Sequence, residues 1–228
     1  MKPFIGIMER PEKTRGKNDV TVMYDHVRMV VVACGGIPIG IVPPSTTCYV
    51  DKRIDEVPTL TSEEQADLAC LLNLCAGVIF PGGDEVMDYD LFALDYCYHH
   101  QIPTLGICMG MQAMGIYFHG TLKKIDSPCN HREKKEKYAH EVQIVPDSKL
   151  YQILQTETLQ VNSFHKYMVQ DVEKIDVVAT APDGVVEAIE DKNHSFFIGV
   201  QWHPETLFSY DIMSQKLFRS FFEIIEKR

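Results

Sequence analysis

The sequence predicts an α/β fold in which a mostly parallel central sheet is covered by helices on both faces and extended by an antiparallel ribbon. Three features predict it. Short apolar segments alternate with helix-length segments through the first half of the chain. Those apolar segments lack polar alternation, as strands buried on both faces do. Near the C-terminal end, "IDVVATA", "GVVEAIE" and "FFIGVQ" are separated only by Pro182-Asp183-Gly184 and Asp191-Lys192-Asn193. These are turn residues, which join antiparallel neighbours.

Taken in order, Phe4 to Met8 ("FIGIM") is the first strand. "VTVMYDHVRMVVVACGG" follows as a helix-length segment with Val27, Val30, Val31 and Cys34 on one face, stopped by Gly35-Gly36. Ile37 to Val42 is a second strand, ended by Pro43-Pro44. In "SEEQADLACLLNLCAG", Ser62 and Gln65 have the spacing of a capping box and Gly77 ends the helix. "VIF" then leads into Pro81-Gly82-Gly83, and "DYDLFALDYCYHH" is a helix with Leu91, Leu94, Asp95 and Tyr98 in register. "IPTLGI" is a fourth strand, and a helix starts after Cys108. Asp211 to Ile225 closes the chain as an amphipathic helix through Ile212, Leu217, Phe218, Phe221, Phe222 and Ile225. No Pro/Gly/Ser-rich linker and no repeat interrupts the pattern, so residues 1–228 are expected to form a single domain.

At 228 residues the chain is long enough to bury a substantial core, roughly 70% of its unfolded surface. Its 45% hydrophobic and 24% charged residues are ordinary globular composition. A net charge of −10 argues against nucleic acid and anionic membrane as partners, because both call for a basic face. "MKPFIGIMER" is too short in apolar residues for a signal peptide, and no apolar run is long enough to span a bilayer. Seven cysteines without a secretion signal imply a reducing, cytoplasmic setting, and the absence of a CxxC pair argues against a structural zinc site. "KKIDSPCNHREKKEKYAHEV" is the most polar stretch and is expected to be a solvated loop, with a partner-binding patch as the alternative.

Three constellations carry chemistry. In Gly106-Ile107-Cys108-Met109-Gly110, glycines two before and two after Cys108 permit a sharp strand-to-helix turn. That turn exposes the sulfur at the carboxyl end of the sheet and sets it at a helix N-terminus, where the partial positive charge favours thiolate. The other reading, a core cysteine, is preferred for Cys34, Cys70, Cys75 and Cys97 on apolar helix faces. In "GVQWHPE", His203 and Glu205 lie two apart beyond a strand, so an imidazole that shuttles a proton has a carboxylate to orient it; a surface His beside a surface Glu is the alternative. In "FPGGDE", Gly82 and Gly83 leave backbone N–H groups free to point into a cleft, and the N–H of Met109 is a natural second donor to a developing oxyanion.

Together and in this order, PGG, GxCxGxQ and HPE resemble the class I glutamine amidotransferase family. Its free-standing γ-glutamyl hydrolase branch, which includes γ-glutamyl-γ-aminobutyrate hydrolases, is similar also at "YDHVRMVVVACGGIPIGIVPP", "LGICMGMQAMGIYFHGTL", "AHEVQI", "VNSFHK" and "DGVVEAIE", so the resemblance covers residues 4–222. The resemblance implies a flavodoxin-like three-layer sandwich with Cys108 as nucleophile, His203 as general base and acid, and Glu205 as its orienter. It makes Gly83 and Met109 the oxyanion donors and has Gly82, Gln112, Ser163, Phe164 and His165 bind the substrate. His165 keeps a structural role as an alternative, and His140 is expected as a satisfied structural histidine. Three positions depart from that branch: Met109 where arginine is common, a shorter segment after Gly83, and His119 in "FHGTL" where a second glycine is usual.

The expected activity is hydrolysis of a small γ-glutamyl amide through a γ-glutamyl thioester, with no metal and no organic cofactor. One alternative is a glutaminase subunit that passes ammonia to a synthase partner. Another is a non-catalytic protein of the same fold with Cys108 as a redox sensor. A homodimer is compatible with either catalytic reading.

Overall fold

A computed structural model describes residues 1–133 and 135–228 of the chain. Its strands are β1 (Phe4–Met8), β2 (Arg10–Lys13), β3 (Asp19–Val22), β4 (Ile37–Ile41), β5 (Gly77–Phe80), β6 (Thr104–Ile107), β7 (Thr121–Lys124), β8 (His140–Ile144), β9 (Thr158–Val161), β10 (Tyr167–Gln170), β11 (Asp176–Thr180), β12 (Val186–Glu190) and β13 (Phe197–Val200). The helices are α1 (Asp25–Ala33), α2 (Ser62–Asn73), α3 (Asp88–His99), α4 (Met109–Tyr117), α5 (Lys149–Leu154), α6 (Pro204–Leu207) and α7 (Ile212–Glu226).

The central sheet has nine strands in the order β4-β1-β5-β6-β13-β12-β11-β8-β9. The first five are parallel neighbours, and from β13 onward each pairing is antiparallel. The three C-terminal apolar segments are β11, β12 and β13, so the predicted antiparallel extension forms where the turn residues place it. It also recruits β8 and β9.

Side chains pointing to opposite faces of the sheet enter two separate cores. Ile5, Ile7, Ile79, Leu105 and Ile198 pack with Val27, Val30 and Val31 of α1 and Leu217, Phe218 and Phe221 of α7. Val78, Phe80 and Phe197 pack with Leu68 and Leu72 of α2, Ala93 and Leu94 of α3, and Met111 and Met114 of α4. This is a three-layer α/β/α sandwich. It explains why the strands read as continuous apolar runs, since neither face of a parallel strand meets water.

Several local expectations shift. The segment expected as the first helix splits: Asp19–Val22 pairs antiparallel with Arg10–Lys13, and the helix begins only at Asp25. The β-branched Val20, Thr21 and Val22 suit a strand, where branching at Cβ costs least. The cap of α2 lies one residue earlier than predicted. The Thr61 hydroxyl accepts from the Glu64 N–H at 3.2 Å, and the Glu64 carboxylate accepts from the Thr61 N–H at 2.8 Å. On α3 the buried face is Tyr89, Asp90, Ala93, Leu94 and Cys97 instead of the Leu91, Asp95 and Tyr98 register. An interior ion pair turns the helix, because Asp90 Oδ1 lies 2.5 Å from Nη1 of Arg10, and both side chains are buried. Cys75 and Cys97 are buried as expected, whereas Cys34 is half-buried and Cys70 is exposed. Ile212 is also exposed; it starts α7 beside Asp211, whose carboxylate caps the helix by accepting from the Ser214 N–H at 2.7 Å.

Candidate active site

Three neighbouring strands deliver the three constellations to one edge of the sheet. β5, β6 and β13 run parallel with Phe80 opposite Gly106 and Ile107 opposite Val200. Their carboxyl ends therefore carry Pro81-Gly82-Gly83, Cys108 and His203 side by side. Functional groups gather at this end of an open parallel sheet.

Cys108 occupies φ 53°, ψ −105°, a conformation that L-residues rarely adopt. Its N–H donates to the Val200 carbonyl at 2.8 Å, and its carbonyl accepts from the Gln112 N–H at 3.0 Å. The chain is thus pinned on both sides of a strained elbow. The flanking glycines are required by close approach. A Cβ at Gly106 would sit 2.8 Å from the backbone of Gly110, and a Cβ at Gly110 would sit 2.0 Å from the Phe80 carbonyl oxygen. Both distances are below any real Cβ contact, so strand, elbow and helix interlock only with glycine in these two places.

His203 lies across from the elbow. The position of a Cβ on Gly82 would be 2.9 Å from His203 Cε1 and 3.7 Å from Cys108 Cβ, so the bare glycine leaves room for both side chains at once. His203 Nδ1 is 2.7 Å from Glu205 Oε1, and both side chains are largely buried. Pro204 opens the short helix α6, holding Glu205 in its first turn two residues beyond the histidine. Burial pulls the His203 imidazolium down, but the negative charges of Glu205 and Cys108 outweigh it and hold its pKa well above 6.5.

Sequence reasoning missed the group that fixes the His203 backbone. Asn162 Oδ1 accepts from the His203 N–H at 2.8 Å, while Asn162 Nδ2 donates to the His203 carbonyl at 3.1 Å and to Thr206 Oγ1 at 2.8 Å. Asn162 lies beside the singled-out Ser163 in "VNSFHK", but a neutral amide in a loop carries no signal of which backbone it will reach. Arg10 was missed for the same reason. Its guanidinium donates to the Pro81 carbonyl at 3.1 Å and runs beneath Gly83, supporting the glycine loop from behind.

The N–H groups of Gly83 and Met109 donate to no acceptor among the described residues. The Met109 side chain packs on Gly83, with Cε 3.0 Å from where a Cβ would be. A methionine suits this position, since Met109 is fully buried at the glycine loop.

A cleft of about 400 Å³ opens onto Cys108. Gly83, Gln112, Phe164 and His165 line it, together with Asp84, Glu85, Arg132 and Lys166. Phe164 is exposed there with its ring 5.3 Å from that of His203. The amide nitrogen of Gln112 is committed, donating to Tyr167 O at 3.0 Å and to Gln201 Oε1 at 3.2 Å, which makes this residue a strut of the wall. Ser163 corrects its expected role: it is fully buried and its hydroxyl donates to the His131 carbonyl at 2.8 Å, away from the cleft. His165 contributes to the cleft wall, but its imidazole is buried and directed toward Glu187.

Burial pushes the thiols of Cys34 and Cys75 up to about 11 and that of Cys97 higher still, which suits packing and not nucleophilic attack.

Chemically, the edge holds a thiol on a strained elbow, an imidazole oriented by a carboxylate, and two free backbone donors beside an open cleft. That set serves nucleophilic attack on a carbonyl followed by proton transfer to a leaving group.

Known proteins resemble this chain in sequence and in fold. The Peptidase C26 family matches residues 3–205. The γ-glutamyl-γ-aminobutyrate hydrolase of Escherichia coli (strain K12) is 30% identical, covering 96% of this chain and 92% of its own length. Protein NtpR of Enterococcus hirae is 30% identical over 97% of this chain and 98% of its own. Among solved structures, the glutaminase domain of Trypanosoma brucei CTPS superposes with a TM-score of 0.67 at 18% identity, covering 100% of this chain and 95% of that one. A glutamine amidotransferase from Thermotoga maritima gives 0.62 at 12% identity over 99% of both chains.

Proposed function

Because the chain belongs to the Peptidase C26 family, which is class I glutamine amidotransferase-like, we propose that it is a cysteine hydrolase of small γ-glutamyl amides, γ-glutamyl-γ-aminobutyrate or a related γ-glutamyl amine. The observation that carries this reading is Cys108 on its strained elbow beside a His203 that Glu205 orients.

In the proposed reaction Cys108 Sγ attacks the γ-carbonyl carbon, and the tetrahedral oxyanion is held by the N–H groups of Gly83 and Met109. Each such donor is worth roughly 3–4 kcal/mol in the barrier. The imidazolium of His203 gives its proton to the departing amine as the C–N bond breaks, leaving a γ-glutamyl thioester. Water then adds to the thioester carbonyl, its proton passing to His203, and the C–S bond breaks to release glutamate. The raised proton affinity of His203 suits the first half of this cycle, in which it must arrive protonated beside a thiolate.

The cleft supports a zwitterionic glutamyl head. Arg132 and Lys166 offer cations to the α-carboxylate, and Asp84 and Glu85 offer carboxylates to the α-ammonium. A second hollow of about 400 Å³ shares Asp84 and Glu85 and reaches Glu12, Lys13 and Lys52, so it provides space for an amine leaving group of mixed polarity.

The test is amine release from the purified chain offered L-glutamine and a panel of γ-glutamyl amides, with Cys108→Ala as control. Turnover of a γ-glutamyl amine that is lost in Cys108→Ala supports the hydrolase. Full activity in Cys108→Ala refutes the mechanism. Activity on glutamine that needs an added synthase would replace the free-standing hydrolase with an ammonia-supplying subunit.

A further inference from the structure

Behind the cleft wall is a second constellation that the proposed hydrolysis does not use. The Glu187 side chain on β12 is fully buried, and neither of its carboxylate oxygens has a hydrogen-bond donor among the described residues. Three imidazoles converge on it. His131 Nδ1 lies 3.2 Å, His140 Nε2 3.5 Å and His165 Nε2 3.5 Å from the same Oε1, and among the described residues those three nitrogens also lack aligned hydrogen-bond partners. All four side chains are at least nine-tenths buried.

The outward nitrogens of these rings set the tautomer of their neutral forms. His165 Nδ1 is 2.9 Å from the Tyr167 carbonyl and His140 Nδ1 is 3.3 Å from the Glu141 carbonyl. A carbonyl only accepts, so in its neutral form each of these rings carries its hydrogen on Nδ1 and points a bare lone pair inward. His131 keeps Nε2 for Asp183 Oδ2 at 2.9 Å. Lone pairs of imidazole nitrogens therefore face lone pairs of a carboxylate in a site closed to water. Acceptors facing acceptors repel, and a buried carboxylate without a donor is strongly unfavourable. Protons could relieve this only by charging several adjacent buried rings. One divalent cation relieves it at every donor.

We infer that His131, His140, His165 and Glu187 form a four-coordinate binding site for a divalent transition-metal ion, zinc being the one that suits three imidazoles and a carboxylate. A tetrahedral ion with bonds of about 2.0–2.1 Å has donor-to-donor edges of about 3.3–3.4 Å. The three measured edges to Glu187 are 3.2, 3.5 and 3.5 Å, and all four donor atoms lie within 4.8 Å of one another. Calcium and magnesium take oxygen ligands, so this donor set selects against them. Each ligand ring has the outer-sphere acceptor that metal-bound histidines use to fix their tautomer.

Four protein ligands close the coordination sphere, which makes the role structural. The ion joins the polar segment holding His131, the start of β8 at His140, the loop of His165 and the sheet at Glu187. Arg132 and Phe164 bridge to each other beside these ligands and line the cleft, so the ion clamps one wall of the candidate active site from behind. The site needs no CxxC pair, and its ligands come from four separate places in the chain.

The inference does not depend on the proposed hydrolase chemistry, because its readout is metal content. Purified protein is incubated with zinc chloride, freed of loose metal on a desalting column, and measured by elemental mass spectrometry. We expect about one zinc per chain, and a rise of several degrees in Tm over chelator-treated protein. Glu187→Gln and, separately, His140→Ala should each hold less than about a fifth of an equivalent, and Cys108→Ala should keep its zinc. Cobalt loading of the unmutated chain should give the visible absorption of tetrahedral cobalt, a readout that needs no variant to fold. Zinc below about a tenth of an equivalent with no Tm change overturns the inference in favour of a protonated histidine cluster. Zinc that survives in both cluster variants but is lost in Cys108→Ala overturns it in favour of binding at the nucleophile.

Discussion

Asn162→Ala is the substitution that tests the architecture of the site most directly, because Asn162 touches the His203 backbone and not its imidazole. The alanine removes three hydrogen bonds. Two of the partners retain others: the His203 carbonyl still accepts from Thr206 Oγ1 at 2.9 Å and from the Thr206 N–H at 3.3 Å, and that same hydroxyl keeps its donor role. Only the His203 N–H is orphaned. An orphaned buried donor costs about 1–3 kcal/mol and each of the two other hydrogen bonds lost about 0.5–1.5 kcal/mol, so a loss of about 2–6 kcal/mol is expected. At about 2–4 °C per kcal/mol for a chain of this length, Tm should fall by roughly 4–24 °C. The histidine hinge should also loosen, lowering kcat on the best γ-glutamyl amide more than it raises KM. Asn162→Asp restores an acceptor for the N–H and should recover part of the kcat. Differential scanning fluorimetry and steady-state kinetics on the two variants check this. An Asn162→Ala protein with unchanged Tm and kcat would refute the reasoning that this amide holds His203 in place.

Three further outcomes follow from the same geometry. Glu205→Gln keeps the shape of the side chain but removes its charge, so kcat should drop roughly a thousand- to ten-thousand-fold, as for loss of the orienting carboxylate in comparable triads; a drop of less than tenfold would remove Glu205 from the machinery. The same charge stabilises the His203 imidazolium, whose pKa is raised above 6.5, so the stability it lends is fully present below about pH 6.5 and is lost as pH rises through the raised value. The Tm gap between the unmutated chain and Glu205→Gln should therefore be wider near pH 6 than near pH 9.5, and a gap that widens with pH would contradict the assignment. Gly82→Ala would place a methyl 2.9 Å from His203 Cε1, so kcat should fall with little change in Tm, checked by kinetics and calorimetry on the same preparation.

Much of the candidate site was legible because its chemistry is local in sequence. GxCxGxQ encodes a bend, a nucleophile and a helix start within a few residues, and HPE encodes the imidazole with its carboxylate. That β5, β6 and β13 are strands of a covered sheet followed from apolar runs that cannot alternate when both faces are buried, whereas their order in the sheet came only with the structure. Even so, the α3 face was misread, because the periodicity of its apolar residues gave no hint that Arg10 would draw Asp90 inward. The Thr61 cap was missed because two overlapping pairs both fit the capping pattern, and the charged Glu64 won at the helix N-terminus.

By itself the sequence determined the layered fold, the strand edge where Cys108, His203 and the glycine pair would meet, and the glycines the elbow demands. Tertiary structure alone decided which neutral and charged groups serve them. Asn162 reaches His203 across 41 residues, Arg10 reaches Pro81 across 71, and Ser163 turns away from the cleft to hold His131. It also decided that His131, His140 and His165, scattered through a stretch that reads as polar loop and landmark strand, close around Glu187. The physical reason is the range of the interactions. Backbone bends and strand burial are set by each residue's immediate neighbours, whereas a buried donor or carboxylate finds its partners only when distant segments are packed together and water has left.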